Sequence, residues 1–437
     1  MAPFGFKHGP ISDHPDLETL VRPGYDRHMF RRPNVALCTL ASLLPDSIEF
    51  DYLDEQYGDI DTTQAYDIVA ISAMTTNAKR SYEIAAQFRK TGAHVIMGGI
   101  HISMVPEEAV PYVDSIVVGE GEEAWLEFLE DFKNERPKKI YQGGNVELNQ
   151  SPAPRYDFLP NEAFYSPFFQ REVFTYQYTR GCPHKCTFCA SSKVYGKKYR
   201  IKAIDKYIQE ISVGMERSNN HLHFFADDNV FVNPRQSIEL LDELKGLKTI
   251  WFGSSDLAVA KNDLLLKKIR DSGCYCLLIG FETLSEENLK RVDPFKAKMF
   301  DQYDQYIEKI HDFGINIAAS FIVGFDHDNL DTFEQIYEFA ARNKVFLCNT
   351  SILTPYPSTA IYDQFKAEKR LTHEGAWEKC TGMNLLYQPK NMTSEELLRN
   401  FTELTRNELQ RSAPDRHFFQ PVNFTNGIPA NPNAANG

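Results

Sequence analysis

The sequence lacks the long apolar run of a membrane-spanning helix, and it lacks a surplus of positive charge. Its longest apolar stretches, such as residues 317–324, fall far short of the roughly 18 residues that a span needs. We therefore expect no transmembrane helix. The formal net charge of −13 argues against a general nucleic-acid-binding protein, because phosphate contacts need clustered Lys and Arg.

Cysteine is also scarce, with eight in 437 residues, and the first residues have no apolar segment of the signal-peptide type. Both observations argue against a disulfide scaffold and predict a cytoplasmic protein with reduced thiols. The length predicts two or three domains. Five of the cysteines fall mostly within apolar runs, where core thiols are the default interpretation: Cys38, Cys274, Cys276, Cys348 and Cys380.

The other three cysteines, Cys182, Cys186 and Cys189, stand close together in the run Cys-Pro-His-Lys-Cys-Thr-Phe-Cys. Three thiolates at this spacing can bind three irons of a 4Fe-4S cluster, whereas clusters used only for electron transfer normally have four cysteine ligands. The open iron would bind a molecule that reacts. Zinc is the alternative, but it needs a fourth Cys or His at finger-like spacing, and His184 lies inside the loop itself.

This CxxxCxxC spacing closely resembles the signature of the radical S-adenosylmethionine (SAM) superfamily. The resemblance implies that the open iron binds the amino and carboxylate groups of SAM. It also implies that an electron from the cluster cleaves SAM to a 5′-deoxyadenosyl radical. An electron donor such as flavodoxin or ferredoxin is then required.

Upstream of the cysteines, short apolar segments alternate with helical patterns. The periodicity predicts helices over residues 35–44 and 79–89, and strands over 47–53, 68–74, 94–99 and 115–119. Such alternation predicts a doubly wound parallel sheet, whose ligands bind beyond the carboxyl ends of the strands. No apolar strand precedes residue 35, so the sheet either lacks an edge strand or borrows one from the irregular start of the chain.

Three loops at those strand ends resemble the cobalamin-binding domain that precedes the barrel in one large branch of radical SAM enzymes. They are a Ser-Ala-Met segment where Ser-x-Leu is usual, a Gly-Gly pair, and a Gly-Glu-Gly-Glu segment. The resemblance implies that these loops surround the corrin and its nucleotide tail. The alternative is a scaffold domain that has lost its cofactor. The residues implied for cobalamin are Ser72, Met74, Thr75, Gly98, Gly99, His101, Gly119, Glu120, Gly121 and Glu122.

Downstream of a proline-containing linker, six apolar segments are separated by helical patterns. We expect strands over residues 173–179, 221–225, 249–252, 275–279, 315–323 and 345–353. Six strand–helix units predict an open, partial (β/α)6 version of the TIM-type barrel, with its chemistry at the carboxyl ends of the strands. Polar residues follow four of these strands, and helix capping is the alternative explanation for any one of them.

These strand ends resemble SAM-contacting positions of the radical SAM superfamily. The resemblance implies that Phe188 and the strand ending at Val323 and Gly324 contact adenine, and that two aspartates lie near the SAM amino end. It further implies bonds from Ser and Glu side chains to ribose or methionine, and from an Arg to the carboxylate. The implied residues are Phe188, Asp227, Asp228, Ser254, Ser255, Glu282, Arg291, Val323 and Gly324.

These patterns divide the chain into successive parts. We predict a cobalamin-binding-like Rossmann domain over residues 1–147, a linker over 148–170, and a radical SAM partial barrel over 171–359. A helical extension over 360–420 resembles that of radical SAM proteins related to hopanoid-modifying methylases. Residues 421–437, rich in Asn, Pro and Gly, are predicted to be disordered.

Two further segments admit two interpretations each. The basic run at residues 193–202 either faces SAM or an anionic substrate, or forms a solvated face. The aromatic residues in and just after the linker either line an apolar pocket between domains or pack in a core: Tyr156, Phe158, Phe164, Tyr165, Phe168 and Phe169.

The family resemblance implies cobalamin-dependent methylation of an unactivated carbon in a biosynthetic pathway, on a small-molecule or lipid substrate. The alternative is a radical cyclisation, rearrangement or oxidation of a small metabolite without methyl transfer. A non-catalytic scaffold is a third hypothesis. The sequence leaves the identity of the substrate and the oligomeric state open.

Overall fold

The structure is a computed structural model that describes residues 1–4, 9–26, 32–167, 169, 171–218 and 221–412. Both the predicted disordered tail, 421–437, and Phe168 lie outside the described residues. The strands are β1 Ile68–Ser72, β2 His94–Gly98, β3 Ser115–Val118, β4 Ile140–Gln142, β5 Tyr165–Ser166, β6 Arg171–Tyr176, β7 Thr179–Arg180, β8 Arg200–Ile201, β9 His221–Phe225, β10 Trp251–Ser255, β11 Cys274–Glu282, β12 Asn316–Val323 and β13 Leu347–Ile352.

The helices connect and cover these strands. They are α1 Pro15–Asp26, α2 Val35–Ala41, α3 Ala78–Lys90, α4 Ile100–Met104, α5 Pro106–Ala109, α6 Gly121–Lys133, α7 Ser191–Val194, α8 Ile204–Arg217, α9 Pro234–Leu247, α10 Asp263–Asp271, α11 Glu286–Val292, α12 Pro294–Ala297, α13 Tyr303–Asp312, α14 Asp331–Arg342, α15 Ala360–Ala367 and α16 Ser394–Ser412. Short 3₁₀ turns occupy Thr75–Asn77, Asn161–Ala163, Leu257–Lys261, Phe300–Gln302 and Trp377–Lys379.

The first sheet is parallel, in the order β1-β2-β3-β4. One of its faces packs against α3, where Ile84 and Phe88 are fully buried. The other face packs against α6, where Phe128 is fully buried. Helices on both faces explain why the strands read as continuous apolar runs, and they confirm the predicted doubly wound sheet.

The edge beside β1 is borrowed from the start of the chain, which settles the alternative left open by the sequence. The Met1 nitrogen donates to the Ala70 carbonyl at 2.8 Å, and the Ser72 N–H donates to the Met1 carbonyl at 3.1 Å. Ala2 forms a parallel bridge with Asp54. The predicted strand over 47–53 is wrong, because these residues form no strand and the bridge from Ala2 reaches only the next residue, Asp54. Strand β4 was not predicted, since its three residues are too few to show a period.

The second sheet holds β6, β9, β10, β11, β12 and β13 side by side in parallel, with β5 antiparallel at the β6 edge. This order confirms the predicted partial barrel of six strand–helix units. Strand β11 runs further than predicted and ends at Glu282. All six carboxyl ends therefore meet at one rim.

The aromatic residues around the linker pack in the core. The ring of Phe164 stacks on that of Phe174 with centroids 4.4 Å apart. The Tyr156 hydroxyl donates to the Thr175 carbonyl at 2.9 Å, and Phe158 packs edge-on against Phe50 at 5.0 Å. The core interpretation of this segment is therefore confirmed for these residues.

The C-terminal extension is only partly helical. Helix α16 begins as predicted, because Thr393 and Glu396 form reciprocal capping bonds, of which the Glu396 N–H to Thr393 Oγ1 bond is 3.2 Å long. Residues 368–393 contain a single 3₁₀ turn, and Gly375 and Gly382 adopt positive φ there, which interrupts a helix. No helix in the described part of the chain has the length and apolar character needed to cross a membrane.

Candidate active site at the barrel rim and sheet edge

The three motif cysteines lie on a loop over residues 181–199 that leaves the first barrel strand. Its two ends are joined by the antiparallel pair β7 and β8. The loop is attached to its neighbours through backbone bonds, because the Thr187 N–H donates to the Val292 carbonyl and the Ile361 N–H donates to the Thr187 carbonyl. We call residues 181–199 the cluster loop.

All three thiols are half-buried and free of disulfides. Burial raises the pKa of Cys182 to about 11, and burial also raises the pKa of Cys186 and Cys189. Iron binding must therefore displace the thiol protons, as metal ions do. Among the described residues, no group of three His, Cys, Asp or Glu side chains could hold a single metal ion, so the zinc alternative gains no support. A cubane differs because each thiolate binds its own iron.

The two aspartates after β9 have different surroundings. Asp227 is buried and accepts bonds from the Tyr178 N–H at 3.2 Å and the Thr179 hydroxyl at 2.5 Å, and burial raises its pKa to about 7. It thus holds the turn that enters the cluster loop. Asp228 accepts a bond from the Ser191 hydroxyl at 2.6 Å and faces a cavity, and burial raises its pKa.

A buried ion pair lies beside the cysteines at the end of β11. Glu282 bonds to the ammonium of Lys296, whose Nζ lies 3.7 Å from Asp293 Oδ2. The Cys186 thiol donates to that same Asp293 oxygen at 3.0 Å. Burial by itself lowers the pKa of Lys296, but the charges of Glu282 and Asp293 outweigh it and hold the pKa above its ordinary value.

Sequence reasoning missed Lys296 and gave Arg291 as the cation for the SAM carboxylate. Arg291 is exposed on α11, and the structure does not bring it to the rim. Asp293 caps the next helix, α12, by accepting bonds from the Phe295 and Lys296 N–H groups, which turns Lys296 inward. In the sequence, the signal for this short helix was the dipeptide Asp293-Pro294, because proline is favoured at the first position of a helix.

The two serines that end β10, Ser254 and Ser255, are largely occupied within the protein. Ser255 is buried and its hydroxyl donates to the Asp256 carbonyl at 3.0 Å, while the Ser254 carbonyl accepts a bond from the Val230 N–H. Asp256 accepts from the Ala258 N–H at 2.7 Å, so here the capping explanation holds. Asp256 also lies 3.3 Å from His184 Nε2, which ties the cluster loop to this strand end.

The end of β12 is equally well packed. Val323 is fully buried, and the Gly324 N–H donates to Asp328 Oδ2 at 2.7 Å. Gly324 has a φ of 98°, and its carbonyl accepts the Tyr387 hydroxyl at 2.7 Å. Phe188 is half-buried in the cluster loop with its ring centroid 6.0 Å from that of Phe325. An aromatic surface thus adjoins the predicted adenine strand.

A cavity of about 880 Å³ separates the carboxyl edge of the first sheet from the barrel rim. Its described lining combines the glycine loops with residues at the barrel mouth: Ser72, Met74, Gly98, Gly99, Gly119, Glu120, Gly121, Glu122, Gln177, Arg180, Ser191, Tyr195 and Asp228. Two residues implied for cobalamin are not part of it. Thr75 is buried in a 3₁₀ turn, and the buried His101 ring lies against Trp377 at 5.6 Å.

Backbone geometry keeps the sheet side of this cavity open. Gly99 has φ 106° and ψ −178°, a combination that is essentially restricted to glycine. A Cβ there would lie 2.5 Å from the Ala73 carbonyl oxygen, so the Gly-Gly loop packs directly on the Ser-Ala-Met loop. Met74 extends from that loop with 53% of its surface exposed. The glycine loops thus present backbone without side chains to this part of the cavity, which lets a large flat ligand approach closely.

The basic run at residues 193–202 matches the predicted solvated face only in part. Lys193, Lys197 and Lys198 are exposed, as on a solvated face. Arg200 and Lys202 are instead buried in ion pairs within the protein, and the Lys202 Nζ lies 2.7 Å from Glu210 Oε1.

Two domain families match the chain in the regions just described. The B12 binding domain matches residues 32–129 and the radical SAM superfamily matches residues 176–340. The bacteriochlorophyllide d C-12(1)-methyltransferase of Chlorobaculum tepidum is 30% identical over 382 residues, which cover 86% of this chain and 82% of the relative. The chain belongs to the cobalamin-dependent radical SAM methyltransferases. Its cofactors are a 4Fe-4S cluster, SAM and cobalamin, which the three thiols and the cavity fit.

Other members of this methyltransferase family match over a similar share of the chain. The bacteriochlorophyllide d C-8(2)-methyltransferase of the same organism is 29% identical, covering 85% of each chain. The cobalamin- and cluster-bound structure of the radical SAM methyltransferase TsrM from Kitasatospora setae superposes with a TM-score of 0.67 at 15% identity. That match covers 77% of this chain and 75% of TsrM, and it shows that the two share a fold.

Proposed function

We propose that this radical SAM methyltransferase methylates an unactivated carbon on a tetrapyrrole. The observation that carries the proposal is the cavity shared between the glycine loops of the first sheet and the cluster-loop side of the barrel. The tetrapyrrole class is supported by the two relatives from Chlorobaculum tepidum, whose names both give a bacteriochlorophyllide as the compound methylated. A flavodoxin or ferredoxin in the cytoplasm is the proposed electron donor.

We assign separate sets of residues to the cluster and SAM region and to the corrin region. We assign the cluster to Cys182, Cys186 and Cys189, and the SAM amino end to the neighbourhood of Asp228, whose carboxylate is directed into the cavity by Ser191. The remaining SAM assignments are Phe188, Asp227, Ser254, Ser255, Glu282, Val323 and Gly324. The corrin is assigned to the cavity-lining loops: Ser72, Met74, Gly98, Gly99, Gly119, Glu120, Gly121 and Glu122.

When bound, these groups supply a 5′-deoxyadenosyl radical on one side of the cavity and a transferable methyl group on the other. The chain itself supplies alignment, because misplacing a reacting group by an ångström can cost a large share of the rate. The packed ends of β10 and β12 fix the barrel side, and the Gly99 contact with Ala73 fixes the sheet side. We retain the predicted domain boundaries, 1–147, 148–170, 171–359 and 360–420, as part of the proposal.

Anaerobic reconstitution with iron, sulfide and hydroxocobalamin, followed by desalting and an ultraviolet-visible spectrum, tests cofactor binding. Incubation with SAM, a reductant and bacteriochlorophyllide d then tests the reaction. We expect bound corrin, both S-adenosylhomocysteine and 5′-deoxyadenosine, and a product heavier by one methylene. A hopanoid lipid serves as the comparison substrate.

Each other outcome has a definite meaning. Methylation of the lipid alone would overturn the tetrapyrrole class and leave methyl transfer intact. 5′-Deoxyadenosine without S-adenosylhomocysteine would instead indicate a radical cyclisation, rearrangement or oxidation. A cluster without corrin would overturn the methyltransferase proposal as a whole.

A further inference from the structure

The carboxylate of Glu120 joins the first sheet to both ends of the cluster loop. Its Oε2 accepts bonds from Arg180 Nη1 and from Arg200 Nη1, each at 2.9 Å, and its Oε1 pairs with Arg200 Nη2. The side chains of Glu120 and Arg200 are almost fully buried, and that of Arg180 is 11% exposed. We call Glu120, Arg180 and Arg200 the Glu120 clasp.

The positions of the two arginines make this contact specific to the cluster loop. Arg180 and Arg200 are direct partners in the antiparallel pair of β7 and β8, where Arg180 precedes the loop and Arg200 follows it. One carboxylate from the other sheet therefore fixes both ends of the loop that carries the cysteines. The remaining attachments described above, through Thr187 to Val292 and Ile361, hold the loop only to the barrel and its extension.

The clasp is electrically balanced by a second carboxylate. Glu122 Oε1 lies 2.7 Å from Arg180 Nη2 and accepts a bond from the Ser151 hydroxyl at 2.9 Å. Burial raises the pKa of Glu122, but the charge of Arg180 outweighs it, and the pKa lies below its ordinary value. Two carboxylates thus face two guanidinium groups. Removing one charged group from such a buried set leaves an opposite charge without its partner, which lowers the free energy of unfolding.

The same residue also borders the cavity. Gly119 and Gly121, on either side of Glu120, line it together with Arg180. The Val146 N–H donates to Glu120 Oε2 at 3.2 Å, and Arg200 donates to the Val146 carbonyl at 2.8 Å. The backbone of Val146 is therefore bonded to both Glu120 and Arg200. The corrin side and the cluster side therefore share this anchor, with the Glu122–Arg180 pair beside it.

We propose that Glu120 is a positioning residue that sets the cluster loop at a fixed distance from the corrin-binding loops. This inference rests on the proposed function in one respect, namely that the chain binds both the cluster and cobalamin. Without the Glu120 carboxylate, Arg200 loses its carboxylate partner and Arg180 keeps only the contact with Glu122, so the loop stays attached to the barrel but is held less firmly to the first sheet. The separation of the two cofactors then varies from molecule to molecule, while the fold and the three thiols persist.

The test compares Glu120→Gln with Glu127→Gln in the reconstituted enzyme. Glu127 is the matched control, because it lies on α6 in an exposed pair with Lys138. Dipolar electron paramagnetic resonance between cob(II)alamin and the reduced cluster measures their separation. Amide hydrogen exchange of peptides within residues 181–199 reports the loop directly. We expect a broader distance distribution and faster loop exchange in Glu120→Gln, and wild-type behaviour in Glu127→Gln.

A wild-type distance distribution and wild-type loop exchange in Glu120→Gln would overturn the proposal. If that variant does not fold, Arg200→Lys replaces it, because lysine keeps the charge and loses the two-pronged geometry. Faster exchange in β10 to β12 as well as in the loop would indicate a merely structural role and overturn it too. If the wild-type enzyme binds no corrin, the proposed function fails, and the exchange comparison still decides this inference.

Discussion

Lys296 and Glu282 form an ion pair at the carboxyl end of β11, with Lys296 only 9% exposed and Glu282 only 8% exposed. Glu282 adopts a left-handed backbone conformation there, with φ of 66°. A non-glycine residue held in this conformation by a buried partner is typical of functional sites. Lys296 Nζ also lies 3.7 Å from the Asp293 oxygen that accepts the Cys186 thiol bond, so the pair is connected to the cluster loop.

Removing the charge of Lys296 should destabilise the fold. We expect Lys296→Met to lower the free energy of unfolding by about 3–5 kcal/mol, because Glu282 is left buried without its partner. The double variant Glu282→Gln/Lys296→Met should recover part of that loss. Urea denaturation measures both values. Lys290→Met is the control, since the Lys290–Glu286 pair is exposed and screened by solvent, and we expect this variant to unfold at nearly the wild-type urea concentration. Equal losses in the single and double variants would contradict this account.

Each motif cysteine should be needed for the cluster. We expect Cys182→Ala, Cys186→Ala and Cys189→Ala to lose most of the iron and sulfide retained by the reconstituted wild-type chain, because three ligands leave no spare donor. Cys348→Ala is the matched control, since Cys348 is also half-buried but lies on β13. Iron and sulfide analysis after desalting measures the effect. Full iron content in any of the three motif variants would refute the assignment of that thiol.

Gly99 in the Gly-Gly loop and Gly121 in the Gly-Glu-Gly-Glu segment form a contrasting pair of glycines. Gly99→Ala should cost about 1–3 kcal/mol of stability and weaken corrin binding, because its backbone conformation excludes a Cβ and Ala73 leaves no room for one. Gly121→Ala should be tolerated, since its Cβ would meet only the Leu40 side chain at 3.6 Å. Thermal unfolding and titration with hydroxocobalamin measure the two effects. Similar behaviour of both variants would show that Gly99 is not under strain.

Asp328 should make stability depend on pH. Burial raises its pKa from 3.8 to about 7, although bonds from the Gly324 and Phe325 N–H groups and from Asn288 oppose the shift. Between these two values the folded chain therefore keeps a proton on Asp328 that the unfolded chain has released. The resulting contribution to the free energy of unfolding is complete below about pH 4 and is lost as the pH rises to about 7. Asp328→Asn should show a shallower decline than the wild type when urea midpoints at about pH 5 and about pH 8 are compared. An unchanged slope would contradict the raised pKa.

Much of the architecture could be predicted from local patterns. Alternating apolar strands and helical periods identified β1, β2, β3 and the six barrel strands, because burial on both faces of a parallel sheet leaves continuous apolar runs. The segment 47–53 has a similar apolar pattern but forms no strand, because a strand also needs a hydrogen-bonded neighbour, and the nearby parallel bridge joins Ala2 only to the next residue, Asp54. Strand β4 was too short to carry a period.

Some residues of the candidate site could be predicted from local sequence patterns, and others could not. The sequence by itself determined the three-cysteine loop and the glycine loops, because their chemistry depends on spacing within a few residues. Only the tertiary structure decided where side chains at the strand ends point. It placed Lys296 beside Glu282 and left Arg291 exposed on α11, buried His101 against Trp377, and joined Glu120 to Arg200, 80 positions away. Local preferences set backbone conformation, whereas the direction of a charged side chain follows the distant partner that compensates its burial.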